Sequence, residues 1–214
     1  MKRMLAGIAA AAFTVAPLAA QQLGMPNWSS PKGGTGITLN GDLAMPNTNL
    51  GKGTAFGARG SLGLANITLT AGIASWKPKG ATESFTSVGG QAGFRVIGGS
   101  LIPVSISLQV GASHAGAANG DSAQTRLGLG GAVSVSVPTP GLSIEPYVAV
   151  NNRWYKFSGV SGTPSHIGLT LGANVGFGML GLHVAYDSEN LGGGVKGGIF
   201  GIGAHVALKA PIGM

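Results

Sequence analysis

The clearest pattern in the chain is a two-residue alternation across residues 166–189. Ile167, Leu169, Leu171, Ala173, Val175, Phe177 and Met179 fall on one face, and His166, Gly168, Thr170, Gly172, Asn174, Gly176 and Gly178 on the other. A period of two is that of a strand. The alternation resumes as Leu182, Val184 and Tyr186 against His183, Ala185 and Asp187. A tight turn at Met179 and Leu180, pairing Phe177 with Leu182 and Gly178 with Gly181, then gives two strands one shared apolar face. The opposite face is small and polar. A soluble sandwich turns its bulky face inward, whereas a barrel in lipid carries it outward.

The same pattern predicts ten segments. The first covers 37–45 (Ile37, Leu39, Leu43 and Met45 outward), the second 54–64 (Phe56, Ala58, Leu62, Leu64), and the third carries Ile67, Leu69, Ala71 and Ile73 after a tight turn at Ala65 and Asn66. The fourth covers 86–97 and the fifth 102–113, where Ile102, Val104, Ile106, Leu108 and Val110 contrast with Ser105, Ser107 and Gln109. Residues 124–137 and 142–157 supply the sixth and seventh, the hairpin the eighth and ninth, and Phe200, Ile202, Ala204, Val206 and Leu208 the tenth.

Connection lengths alternate in step. Those after the even-numbered strands are short (65–66, 98–101, 138–141, 179–180), and those after the odd-numbered strands are long and polar (46–53, 77–85, 114–123, 158–164, 187–198). Periplasmic turns and extracellular loops alternate in this way, which requires an even strand count. Outward Phe56, Trp154, Tyr186 and Phe200 fall near loop ends, and Phe94 and Phe177 near turn ends, as two sparse aromatic girdles. The fold class is therefore all-β: a transmembrane antiparallel up-and-down β-barrel of ten strands, with eight as the alternative.

Composition agrees. The chain is 44% hydrophobic and 9% charged, yet lacks the run of about 18 apolar residues that a spanning helix needs. Its 40 glycines follow no collagen period and belong to strands and turns. With no Cys, stability rests on backbone pairing and the bilayer rather than on disulfides. Residues 1–20 have the three regions of a secretory signal peptide: Lys2 and Arg3, the apolar stretch 4–15, then Pro17 to Ala20. Residues 21–35, with Pro26, Trp28 and Pro31, have no period and read as a periplasmic lead-in; 36–210 is the barrel and 211–214 a C-terminal tail. Beyond residue 20 the net charge is +5, from 11 basic and 6 acidic residues. No Lys/Arg run suited to nucleic acid occurs.

The export signal, the alternating strands and the closing Gly203-Ala204-His205-Val206-Ala207-Leu208 resemble bacterial small outer-membrane β-barrel proteins. That resemblance implies a location in the cell outer membrane. It also implies contact with outer-membrane lipid and lipopolysaccharide, and insertion by the barrel assembly machinery. Lys52, Lys77, Lys79 and Lys196 lie in predicted loops and Lys156 at the edge of one, where they can meet lipopolysaccharide phosphates.

Candidate chemistry is sparse. A lipid A hydrolase or acyltransferase would need His, Ser and a carboxylate on one surface. The nearest set is His183, Asp187 and Ser188, but the first two stand about 13 Å apart along a strand and Ser188 points the other way. His114, His166, His183 and His205 have no metal-type spacing, and the glycine runs at 128–130, 192–198 and 201–203 lack the features of a nucleotide loop. No cofactor and no metal is expected. What stands out is the inward set: Asp42, Arg59, Arg95, Arg126, Glu145, Arg153, His183, His205 and Lys209. Such charges belong in a lumen because a Lys or Arg facing lipid at mid-membrane costs roughly 2–4 kcal/mol. They fit either an ion-paired plug or a narrow passage. A turn centred between Thr139 and Pro140 sets Arg126 opposite Arg153, and those two with Arg59 and Asp42 form the candidate ligand-binding cluster. The resulting expectation is a non-enzymatic barrel, either a narrow, anion-preferring pore or a structural and surface-interaction protein.

Overall fold

A computed structural model describes residues 21–98 and 102–208; the signal-peptide stretch, the C-terminal tail and Lys209 lie outside the described residues. The strands are β1 (Gly36–Pro46), β2 (Thr54–Leu64), β3 (Ile67–Lys77), β4 (Phe85–Ile97), β5 (Val104–Ala115), β6 (Gln124–Val135), β7 (Val137–Thr139), β8 (Leu142–Phe157), β9 (Ser165–Phe177), β10 (Leu180–Gly192) and β11 (Val195–Leu208). The three-residue β7 continues β6 beyond a break at Ser136, and both pair with β8 in one register, so β6 and β7 form a single stave. Each stave pairs antiparallel with its neighbour in sequence, and β1 pairs with β11 from Ile37↔Leu208 to Pro46↔Ile199. The sheet is closed and has ten staves. The staves, of 11 to 16 residues, meet or exceed the 9–11 or so that a tilted strand needs to cross a bilayer.

Alternation along each strand sorts side chains as the sequence requires. Large apolar groups cover the outside: Ile167 is 64% exposed, Phe56 62% and Leu180 60%. An apolar surface this continuous suits lipid and would be a liability in water. Phe56, Tyr186 and Phe200 stand toward the loop end of this belt, and Phe94 and Phe177 toward the turn end. Ser105, Ser107, Gln109, Thr170 and His183 are buried in the lumen.

Four expectations change. The hairpin between β9 and β10 pairs Phe177 with Leu180 and turns at Gly178 and Met179, one residue earlier than the alternation suggested, which shifts the pairing by two residues. Gly178 alone takes positive φ, +65°, at the first turn position, where a type II′ turn calls for glycine. The connection expected over 187–198 is instead a two-residue turn at Gly193 and Gly194, with φ of +59° and +80°. Two successive left-handed residues are what a type I′ hairpin needs. Asp187, Ser188 and Glu189, polar enough to read as loop, are therefore wall residues. Thirdly, Pro140 and Gly141 form the β7–β8 turn, with Gly141 at φ +73°, so Thr139 pairs with Leu142. Proline followed by a left-handed glycine defines a type II turn. The β6–β8 register consequently shifts by two residues, and Arg126 lies opposite Tyr155 rather than Arg153.

The fourth change is the largest. The lead-in is irregular, as its composition suggested, but it lies inside the barrel. Gln21, Gln22, Met25, Asn27, Trp28 and Ser29 are all buried, Met25 completely. The segment begins at the loop end beside Ser87 and Ser113 and descends to the turn end beside Glu145, where β1 begins.

Candidate functional site: the occluded lumen

The lumen wall is built from small residues so that large ones can lie across it. A Cβ on Gly168 would sit 2.2 Å from the Arg153 guanidinium carbon, and one on Gly172 would sit 2.3 Å from the Tyr147 ring. Gly203 is overlain by His183 in the same way. The inward glycines are seats for neighbouring side chains, which explains much of the unusual glycine content.

Three polar nodes fill the bore. At the first, Arg153 makes a bidentate contact with Asp187 at 2.7 Å for both bonds, bonds Glu189 at 2.7 Å and donates from Nε to Asn151. Asp187 also accepts from Thr170 Oγ1 at 2.6 Å and from the Asn27 backbone amide at 3.2 Å. Tyr155 donates to Glu189, and Arg126 stacks over the Tyr155 ring at 4.8 Å. Two arginines and two carboxylates leave this node without net charge, as burial demands. At the second, Arg59 bonds both carboxylate oxygens of Asp42, at 2.6 and 3.0 Å, and lies 5.1 Å over the Trp28 ring. Asp42 also receives His183 Nε2 at 2.6 Å. At the third, Glu145 accepts from Ser30 Oγ, the Lys32 amide and Asn174 Nδ2 at 2.9 to 3.0 Å.

The four-residue cluster expected from sequence thus divides. Arg59 and Asp42 come together; Arg153 goes to Asp187 and Glu189; Arg126 bonds the backbone and side-chain oxygens of Gln21 at 3.2 and 2.8 Å. Asp42 is not the partner of Arg126 or Arg153. The two arginines are offset by two residues, roughly 7 Å along the strand, and the carboxylates that meet Arg153 come from residues first read as loop. Nor do His183 and Asp187 work together, since each is engaged by its own partner. Ser188 pairs with outward-facing Leu169 and shares its side of the wall.

The lead-in ties these nodes to one another. Leu23 N donates to Ser87 Oγ, Ser29 N to Tyr147, Gln109 Nε2 to Ser29 Oγ, Asn174 to the Ser29 carbonyl, and Arg95 to the Lys32 carbonyl. Its apolar residues are seated too: Met25 packs with Ala44, Ala55, Ala74 and Ile199, and Trp28 with Tyr147 and Ala185. Below Trp28 the lumen opens into a blind vestibule of about 860 Å³ at the turn end, lined by Arg59, Glu145, Asn174, His183 and His205 among others. Above it the two cavities beside the segment measure about 20 and 30 Å³, room for little more than one water each. Sequence reasoning missed this plug because an aperiodic stretch gives no strand signal. A signal was nevertheless present: so glycine-rich a wall would enclose empty space unless Met25 and Trp28 filled it.

No protein-family model and no curated protein matches the chain. Among solved structures the chain is similar to the N-terminal β-barrel domain of Pseudomonas aeruginosa OprF, at 10% identity over 82% of this chain and 99% of that one, with a TM-score of 0.38. It is also similar to the β domain of the Bordetella autotransporter BrkA (13% identity, 83% and 100% covered, TM-score 0.45) and to Ail of Yersinia pestis (11% identity, 82% and 100% covered, TM-score 0.33).

Proposed function

We propose that this protein is a non-enzymatic outer-membrane β-barrel held shut by its own N-terminal segment, with the long loops outside the cell and the vestibule facing the periplasm. The observation that carries the reading is the seating of residues 21–31 in the lumen, most of them buried, hydrogen-bonded to β4, β5, β6, β8, β9 and β10 and packed through Met25 against β1, β2, β3 and β11. The apolar exterior and the lumenal charges support a membrane setting. In the resting state the bore is too well filled to conduct. Arg126 gives the anion-preferring reading its place. Among the described residues Arg126 has no carboxylate within salt-bridge distance, and its Nη1 donates to the two oxygens of Gln21 while its Nε is buried without a partner. Withdrawal of the segment frees the Arg126 Nη1 and turns that guanidinium to the open bore at the loop end, where a positive charge favours anions.

Planar-bilayer recording of the purified protein tests this. The intact protein should be closed. Deleting residues 21–31, or replacing Trp28 by Ala where the deletion fails to assemble, should produce openings with an anion preference that Arg126→Ser removes. A large steady conductance from the intact protein would refute the plug. A His183-dependent change in the lipid A of expressing cells would overturn the non-enzymatic reading.

A further inference from the structure

His183 and His205 meet at the roof of the vestibule with their Nδ1 atoms 3.3 Å apart. Their ring centroids are 5.6 Å apart and their planes differ by 20°. The centroid separation exceeds the N···N distance by a full ring width, so the two nitrogens point at each other nearly head-on. The tautomer of His183 follows from its other side. Nε2 lies 2.6 Å from Asp42 Oδ1, and a carboxylate only accepts, so Nε2 carries a proton and, in the neutral ring, Nδ1 is a lone pair. The 3.2 Å approach of Arg59 Nη2 to the same Nε2 is then a contact between two donors, each satisfied by Asp42. In the ion-free pair His205 donates its Nδ1 proton to that lone pair; when the proton sits on Nε2 of His205 instead, two lone pairs face each other across the gap and an ion can take the place of the hydrogen.

We propose that this pair is a two-coordinate site for a soft monovalent d¹⁰ cation, Cu(I) or Ag(I). Such ions accept two nitrogen donors in a line, which is the arrangement here, and imidazole suits copper. Bonds of about 2 Å require the nitrogens to part by roughly 0.7 Å. His205 can supply this movement, since it is only half-buried and fronts the vestibule. Asp42 completes the site by holding His183 through its far nitrogen, the usual outer-shell support for a ligating histidine. Two neighbouring features disfavour a divalent ion. Among the described residues no set of three or more His, Cys, Asp or Glu is placed to hold an ion, so tetrahedral Zn²⁺ lacks ligands. Arg59, bonded to Asp42 beside the site, penalises a second positive charge more than the first. The sequence concealed the pair because 22 positions separate its members; the β10–β11 register brings them together by setting His183 against Gly203 and His205 against Gly181.

The test uses the full chain in detergent, titrated with silver nitrate in chloride-free buffer and observed by ¹⁵N NMR of labelled histidine. One Ag⁺ should bind per chain with large shifts of the two Nδ1 signals, while His114 and His166 stay unmoved. His205→Ala, which removes a partly exposed side chain, should abolish that equivalent; His114→Ala should retain it, and Zn²⁺ should not compete. Silver bound at the thioethers would leave the Nδ1 signals in place. Unmoved Nδ1 signals at saturating silver in the wild-type protein, or equal binding by folded His205→Ala, would overturn the proposal.

Discussion

Glu145 fastens the lower end of the plug, and its removal gives a quantitative prediction. Its carboxylate takes Ser30 Oγ, the Lys32 amide and Asn174 Nδ2 at 2.9 to 3.0 Å. Bonds to a charged group are worth about 1.5–3 kcal/mol each. They do not add fully here, because the vestibule lets water replace what is lost. We expect Glu145→Ala to cost about 2–3 kcal/mol of plug retention, a rise of roughly 30- to 150-fold in the open fraction. Hydrogen exchange reads this directly. The Lys32 amide loses its acceptor in the variant and should exchange faster by at least that factor. The Leu23 amide, bonded to Ser87 at the opposite end, reports whether the segment leaves as a unit. Acceleration at Lys32 alone would mean that only the lower end frays. Unchanged exchange at both amides in a folded variant would refute the claim that this carboxylate holds the segment.

Two further outcomes follow from the wall and the turns. Gly168→Ala forces the Arg153 guanidinium off its seat, where a Cβ would stand 2.2 Å from it, and should destabilise the barrel by about 2–4 kcal/mol by disturbing a buried charge node, read as a lower unfolding midpoint in detergent. Ala65 sits at φ +53° in the β2–β3 turn, so Ala65→Gly should stabilise the barrel by about 1 kcal/mol and raise that midpoint; a fall would show that the turn carries no backbone strain.

Much of this fold was written in the alternation, because in a lipid-facing barrel the outward phase is set by the bilayer and survives a register error. Every register error was a shift of two residues, which moves pairs along the strand and leaves each side chain on its face. The phase of Arg126, Arg153, Arg59 and Asp42 was therefore readable, while their partners were not. Which carboxylate meets Arg153 depends on turn geometry at Gly193 and Gly194, since that turn decides whether Asp187 and Glu189 are wall or loop. The plug was invisible for a different reason. Its order comes from the walls around it, and no local period records a contact between Asn27 and Asp187, 160 positions apart.

The seam between β1 and β11 gives the plug a consequence for biogenesis. Residues 21–34 lie within the ring that this seam completes, and β1 follows directly from their lower end. Once the first and last staves are zipped, Trp28 and Met25 can enter only by threading upward past Arg59, Tyr147 and His183. Placement before closure avoids that passage. An order of assembly with the segment first, the curling sheet around it and the seam last meets no such obstacle, and under it an error in the opening residues would surface as a ring that fails to close.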